Sequence, residues 1–440
     1  MTYEEASART VAIVDEHLLG GGSDRARIGE LLRAHRIRIV AGPAVAASVA
    51  GQEMILTTTL LVRRMGMGLE VVAADAPLLA SGLPFEGATL HDALRSVEDE
   101  LLPGTQFGIG LSDAVVDIEL VLGSSAPTGN TKRALRLGAR GSRAIVAPIE
   151  EHLEVEYDAR VAALATSGIA AAQAFRSFAA RLAVEFGVEL AKDFSFDEPC
   201  TIDLAEILGV DVQELLAPSL GHVDFISAGA ITNSALYTLL RIGAQLRGRA
   251  IERKELDPPD MNRYLLALAR HLGLAKVAIA TGVSREGVEI IGIEALYQDE
   301  TRAALAPLAP SVMVGVDHVP SRWLVQSQQP ERLVVGATEG FEALISFHLP
   351  GLPCAGCLHP TSPPNEATRT VATISFVSFF SGFFQALALA AVAIGHEPPE
   401  QVIRALPFAW AGAVVQVTAL AANAACPVGC PPSRILRAVA

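Results

Sequence analysis

Residues 222–242 read HVDFISAGAITNSALYTLLRI, an apolar run that turns through Ser227-Ala-Gly-Ala-Ile-Thr232 into a segment with helical apolar spacing. A strand that feeds a helix through small residues leaves the first helical N–H groups unpaired. The positive end of the helix dipole then lies at the turn, where a phosphate can sit. Of a full glycine fingerprint only Gly229 is present, with Ser227 and Thr232 where the first and third glycines would be. A second strand, with its tip at Ala250–Glu252, places Glu252 23 residues beyond Gly229, the spacing of a ribose-hydroxyl ligand. Up to this point a nicotinamide dinucleotide fits as well as any other nucleotide.

The residues downstream separate these readings. In ERKELDPPDMNRYLLALARHLGLAK (252–276), Asn262-Arg263 precede Tyr264–Leu272, predicted as a helix ending near Gly273, and Lys276 follows. VMVGVDHVPSRWLVQ (312–326) is a strand ending in Asp317, followed by a helix from near Ser321 that carries Arg322. A carboxylate at a strand end suits magnesium, which keeps several waters and takes one or two protein oxygens beside phosphates.

This series resembles the ThiF/HesA/MoeB family of adenylating enzymes, relatives of the ubiquitin-activating enzymes, over about residues 223–430. The resemblance implies that Glu252 holds the ribose and that Asn262, Arg263 and Lys276 hold the ATP phosphates above the Ser227-Gly229-Thr232 loop. It also implies magnesium at Asp317. Arg263, Lys276 and Asp317 would carry catalysis by neutralising charge as pyrophosphate leaves. Two positions depart from the family pattern: Lys254 stands where a second acid is usual, and Asp260 where the first Asn of an Asn-x-Asn-Arg segment is usual.

Four of the five cysteines form two close pairs, Cys354-Ala-Gly-Cys357 and Cys426-Pro-Val-Gly-Cys430. In a reducing compartment such pairs point to metal before disulfides, and zinc favours four thiolates in a closed structural site. His359 lies nearby and is read as a neighbour of the site. Cys200, the remaining cysteine, follows Pro199 in an acidic stretch that disfavours a thiolate, so it is expected to be structural, with no protein thioester. Between the pairs, residues 371–395 (VATISFVSFFSGFFQALALAAVAIG) are uncharged and long enough to span a bilayer. Ser375, Ser378, Ser381 and Gln385, with no aromatic belt or basic flank, predict a buried core helix instead.

At 440 residues the chain is long enough for two units. Ile37–Ala41, Leu69–Ala73, Val116–Leu122 and Arg143–Ala147 read as strands alternating with helical segments, and Glu151–Glu189 as helical. The expected organisation is an α/β domain over residues 1–195, a linker over 196–222, and the adenylating domain with its zinc site over 223–440. The fold class is α/β: a Rossmann-like sheet with helices on both faces in the C-terminal half, preceded by a degenerate α/β N-terminal half with a helical connection. The first half reads as a weaker copy of the second, since Ile37–Ala41 runs into Gly42 as Val223–Ser227 runs into Gly229. Further strands are expected at Gly287–Ile293, Val312–Val316, Leu333–Ala337 and Ala343–Phe347.

With 48 acidic and 34 basic residues the net charge is -14, which argues against nucleic acid as the main partner. The start Met-Thr-Tyr-Glu-Glu lacks the pattern of a signal peptide, and a cytoplasmic setting is expected, with no membrane partner. The function expected from the resemblance is an ATP-dependent adenylyltransferase using ATP, magnesium and zinc. Its substrate would be the C-terminal carboxylate of a small ubiquitin-like or sulfur-carrier protein, or of a peptide, converted to an acyl-adenylate. The family often borrows an arginine from a second adenylating domain, supplied here by the N-terminal half or by a second chain, and the resemblance implies a homodimer. The rival is a catalytically lapsed scaffold that presents a carrier or peptide to another enzyme. A nicotinamide-dependent oxidoreductase gives Asn262-Arg263 and the cysteine clamp no role.

Overall fold

The computed structural model describes residues 1–189, 198–362, 372–408 and 414–430. Two sheets are built from these residues. The first holds β1 (Arg36–Ala41), β2 (Gly68–Ala73), β3 (Phe107–Ile109), β4 (Ile118–Leu122), β5 (Ala134–Arg140), β6 (Arg143–Pro148) and β7 (Cys200–Asp203), in the order 3-2-1-4-5-6-7. The second holds β8 (Ser219–Ile226), β9 (Gln245–Ile251), β10 (Val288–Ile293), β11 (Ser311–Val314), β12 (Arg332–Glu339), β13 (Glu342–His348), β14 (Val402–Ala405) and β15 (Val415–Thr418), in the order 10-9-8-11-12-13-14-15.

In each sheet the first five strands are parallel and the rest antiparallel. The second sheet therefore repeats the order and direction of the first and adds one strand. Both are α/β sheets flanked by helices, and their central strands are apolar runs such as Ile39-Val40-Ala41 and Val312-Met313-Val314, as strands covered on both faces must be. The order reverses between β1 and β4 and between β8 and β11, and such switch points open a crevice at the carboxyl ends of the strands.

Corresponding helices join the halves. Val49–Met65 follows β1 and Ala230–Arg241 follows β8, while Arg160–Phe186 and Ser375–Ala393 follow the two antiparallel hairpins. These helices pack on one another, and one continuous apolar core runs through both halves. Among the described residues one helix, Ser375–Ala393, is long and apolar enough to cross a membrane, and here it is buried in the protein. Its polar groups face inward: Ser375 Oγ donates to Leu61 O, and Gln385 Nε2 to Val314 O and Val334 O. At Gly382 a Cβ would lie 2.4 Å from Ala235 N and Ile231 O, so this helix touches Ala230–Arg241 backbone to backbone. Across the halves, Arg241 Nε donates to Glu53 Oε2 at 2.7 Å, and the Thr57 and Tyr237 hydroxyls lie 2.8 Å apart.

Three stretches differ from the sequence expectation. Residues 196–222, expected as a linker, carry in their described part β7, which closes the first sheet, a short helix at Leu204–Leu208 and the start of β8. Tyr264–Leu272, expected as a helix, is a run of turns with a short 3-10 helix at Ala269–His271. Its backbone groups find tertiary partners instead of helical ones. The Arg64 guanidinium donates to the carbonyls of Met261, Leu265 and Ala267, and Leu266 N–H donates to Asn233 Oδ1. The helical region expected from Glu151 begins only at Arg160, and Gly187 ends it with φ +63°.

Candidate functional site

The crevice of the second sheet is lined by the turns after β8, β9 and β11. Ser227 leaves β8 with φ +87°, and its Oγ accepts from Gly229 N–H at 2.9 Å and donates to Glu252 Oε2 at 3.3 Å. Glu252, just past β9, also accepts the N–H groups of Arg253 and Lys254 at 2.9 and 3.0 Å, so the backbone of its own turn fixes this carboxylate. Gly229 caps the start of Ala230–Arg241. A Cβ on it would stand 3.0 Å from Ser227 Oγ, 3.8 Å from the Tyr264 hydroxyl and 4.0 Å from Gly315 O, which brings the turn after β11 against the turn after β8. Thr232 is buried and packs toward Gly315, with its Oγ1 3.1 Å from where a Cβ there would be.

Beside this loop a cationic cluster surrounds one carboxylate. Asp260 Oδ1 meets Arg263 Nη2 at 2.7 Å, Asp260 Oδ2 meets Lys276 Nζ at 2.8 Å, and Arg9 Nη2 reaches Oδ1 at 3.4 Å. Burial would raise the Asp260 carboxyl, but Arg263 and Lys276 outweigh it and hold it below the usual carboxylate range. Burial and neighbouring Arg9 lower Arg263, whereas Lys276 is raised because Tyr264 and Asp260 outweigh its burial. The Tyr264 ring faces both cations, 5.5 Å from the Arg263 guanidinium carbon and 5.2 Å from Lys276 Nζ. Asn262 lies behind the cluster. Its Oδ1 accepts from Arg263 Nη1 at 2.7 Å and its Nδ2 donates to Thr373 O at 2.9 Å, so it orients the arginine. Asp317 is exposed on the turn after β11, close enough for its charge to act on Arg263.

The helix after that turn, Val319–Ser327, ties the crevice to the cysteines. Arg322 donates twice to Val316 O and meets His359 Nε2 at 3.0 Å. Trp323 Nε1 donates to His359 O, and Gln326 Oε1 accepts from Ala355 N–H. His359 is thereby occupied outside the cysteine cluster. The Sγ atoms of Cys354, Cys357, Cys426 and Cys430 all lie within 4.8 Å of one another, with contacts from 3.1 to 3.9 Å. A tetrahedron of Zn–S bonds of about 2.3 Å has S···S edges of about 3.8 Å, so this donor set fits zinc. Gly356 lets the two knuckles close, since a Cβ there would be 2.9 Å from Cys426 Sγ. Burial pushes the Cys354 and Cys357 thiols up, and a bound dication is what holds such buried sulfurs as thiolates. Cys200 is buried on β7, where burial pushes its thiol up to about 12.

The fold thus gathers Ser227, Gly229, Glu252, Arg263, Lys276 and Asp317 around one crevice, with Thr232 and Asn262 buried behind it. The four cysteines form a second cluster. Three participants were not singled out from the sequence: Arg9, Tyr264 and the central role of Asp260. Tyr264 could have been suspected from its place beside Arg263, whereas nothing local marks Arg9, which comes from the helix Tyr3–His17.

The family model of the BilD N-terminal domain matches residues 36–190, a part of the chain whose sequence pattern pointed to no activity. No curated protein matches the chain. Among solved structures, Escherichia coli MccB with succinimide is 13% identical, covering 68% of this chain and 98% of that one with a TM-score of 0.40. MccB with AMPCPP and selenomethionine MccA is 13% identical, covering 67% and 97%, with a TM-score of 0.40. Selenomethionine PaaA is 13% identical, covering 44% and 71%, with a TM-score of 0.35.

Proposed function

We propose that the crevice of the second sheet binds ATP and activates a carboxylate as an acyl-adenylate, the carboxylate being the C-terminus of a small ubiquitin-like or sulfur-carrier protein or of a peptide. The observation that carries this reading is the convergence of Arg9, Arg263 and Lys276, from three separate segments, beside a helix N-terminus at Gly229, with Asp317 near enough for its charge to act on Arg263. In this reading a substrate carboxylate oxygen attacks the α-phosphorus, the bond to the β-phosphate oxygen breaks, and pyrophosphate departs with the electron pair. No side chain needs to move a proton. Positioning and charge neutralisation do the work, with the three cations on the β- and γ-phosphates and Glu252 on the ribose. Asp317 would hold magnesium, which screens the phosphate charges when bound. The four cysteines would hold a structural zinc, and its link through Val319–Ser327 fixes the helix that follows Asp317. We place the protein in the cytoplasm, where thiols stay reduced, as a homodimer in which the chain's own Arg9 joins the cations of its site.

The test is ATP–pyrophosphate exchange with candidate carrier proteins or peptides. Exchange should be lost in both Arg263→Ala and Asp317→Ala; unchanged exchange in the two variants would sink the reading. One observation favours a second reading, a lapsed scaffold: Ser227 Oγ already occupies Gly229 N–H and Asp260 already occupies the cations. Titration calorimetry with magnesium and ATP separates the two, because a scaffold shows no binding at millimolar nucleotide.

A further inference from the structure

Polyphosphate would enter a site whose cations are already engaged. Asp260 is 1% exposed, and its two oxygens take up Arg263, Lys276 and Arg9, the last of these only 28% exposed at its side chain. Those oxygens sit on the same donors that phosphate oxygens would use, beside the Gly229 turn. Three buried or half-buried cations with no anion among them would repel one another and lose solvation together. A single carboxylate relieves this and leaves the cluster with a net charge of two positive.

We propose that Asp260 is an internal counter-ion of the polyphosphate site, holding Arg9, Arg263 and Lys276 in place when the site is empty and yielding them to an entering phosphate chain. The proposal rests on the nucleotide reading above and adds a determinant of selectivity to it. A chain of phosphates brings several negative charges and can replace the carboxylate on all three donors at once. A monophosphate or a simple carboxylate brings too few, and Asp260 keeps its partners. The site is thereby preorganised for polyphosphate and protected against smaller anions, at the expense of affinity. The tool that exposes this competition is Asp260→Asn, which keeps the shape and one acceptor oxygen but removes the charge.

Binding of inorganic pyrophosphate, of ATP with magnesium and of AMP is measured by calorimetry on the full chain, wild type and Asp260→Asn. Removing one competing charge a few ångströms from the phosphates should tighten pyrophosphate and ATP on the order of tenfold after solvent screening, and AMP much less. A purely structural Asp260 predicts the opposite sign, since a misplaced Arg263 weakens polyphosphate binding. Equal or weaker binding in the variant, with wild type binding ATP, overturns the counter-ion role and leaves the nucleotide reading intact. No binding of any probe by either protein removes the nucleotide reading itself. If Asp260→Asn does not fold alone, it should fold with millimolar pyrophosphate present, because phosphate then supplies the missing charge. Failure to fold under that condition also overturns the proposal.

Discussion

In the first sheet, the turn after β1 is sealed by hydrogen bonds to its own neighbours. Gly42 N–H donates to Ser125 Oγ at 2.7 Å, Pro43 removes the next donor, and Arg136 reaches across to the carbonyls of Gly123, Ser125 and Ile149. In the second sheet, the matching turn after β8 opens beside Arg9, Arg263 and Lys276. Strand order and direction are the same in the two sheets, yet among the described residues it is the second crevice that gathers three cations around one buried carboxylate, with Asp317 exposed on the turn after β11. The difference shows how little the fold alone decides chemistry. The first half also acts on the second directly: Arg9 and Thr10 reach the Asp260–Asn262 segment, and Arg64 holds the chain just beyond it.

The largest effect that bears on this contrast is on activity. Lys276→Ala should lower ATP–pyrophosphate exchange by roughly a hundred- to a thousand-fold, the usual scale for removing one charge-stabilising donor. Arg136→Ala, at the corresponding end of the first sheet, should leave exchange within about twofold per folded molecule. Comparable losses from the two substitutions would break the asymmetry between the crevices.

A second contrast concerns the long helices. Gly382 and Gly168 occupy corresponding helices, and a Cβ would meet backbone at 2.4 Å in the first case and the Phe380 ring at 2.7 Å in the second. Backbone cannot yield, whereas a ring can shift. Gly382→Ala should therefore cost about 3 kcal/mol in urea unfolding and Gly168→Ala about 1 kcal/mol, both toward the range for overpacked cores. Because one core spans both halves, each variant should still unfold in a single transition.

The strand–turn–helix at 222–242 was legible because periodicity and small residues are local properties, and the cysteine pairs because their spacing is. Strand neighbours were not legible, since the sequence shows each strand but not what it pairs with. The helix expected at Tyr264–Leu272 failed for a related reason. Its composition favours a helix, but Arg64 and Asn233, far away in the chain, take its backbone groups. Asp260 could be noticed only as a departure from a pattern, and its three partners emerge only once the fold brings Arg9 beside Lys276.

A third prediction concerns a pH response in the first half. His35 is buried against Phe178, with Asp117 Oδ2 3.4 Å from Nδ1, and burial outweighs Asp117 to depress the imidazole to about 4. A histidine whose folded value lies below its unfolded one binds more protons when unfolded between pH 4 and 6.5. Stability from this group is therefore full above that window and falls as the pH drops through it, by about 1.4 kcal/mol per pH unit at most. His35→Phe should flatten the slope of urea stability between pH 6.5 and 4; an unchanged slope would assign the acid response elsewhere.

The smallest expected effect tests how closely the second turn has come to resemble the sealed first one. Ser227 holds a φ of +87° that glycine adopts freely, so Ser227→Gly relieves about 1 kcal/mol of backbone strain. The same change removes the hydroxyl that accepts from Gly229 and donates to Glu252, worth about 1 kcal/mol as a hydrogen-bonding group. The two terms nearly cancel, and stability should move by less than about 0.5 kcal/mol. Binding should still change, because Gly229 N–H is released to face the crevice at the positive end of its helix. ATP with magnesium should bind about threefold tighter, measured by calorimetry beside the unfolding curve. Weaker binding at unchanged stability would mean that the Ser227 hydroxyl is itself a ligand group, and that the second turn is a working site built around serine where a glycine was expected.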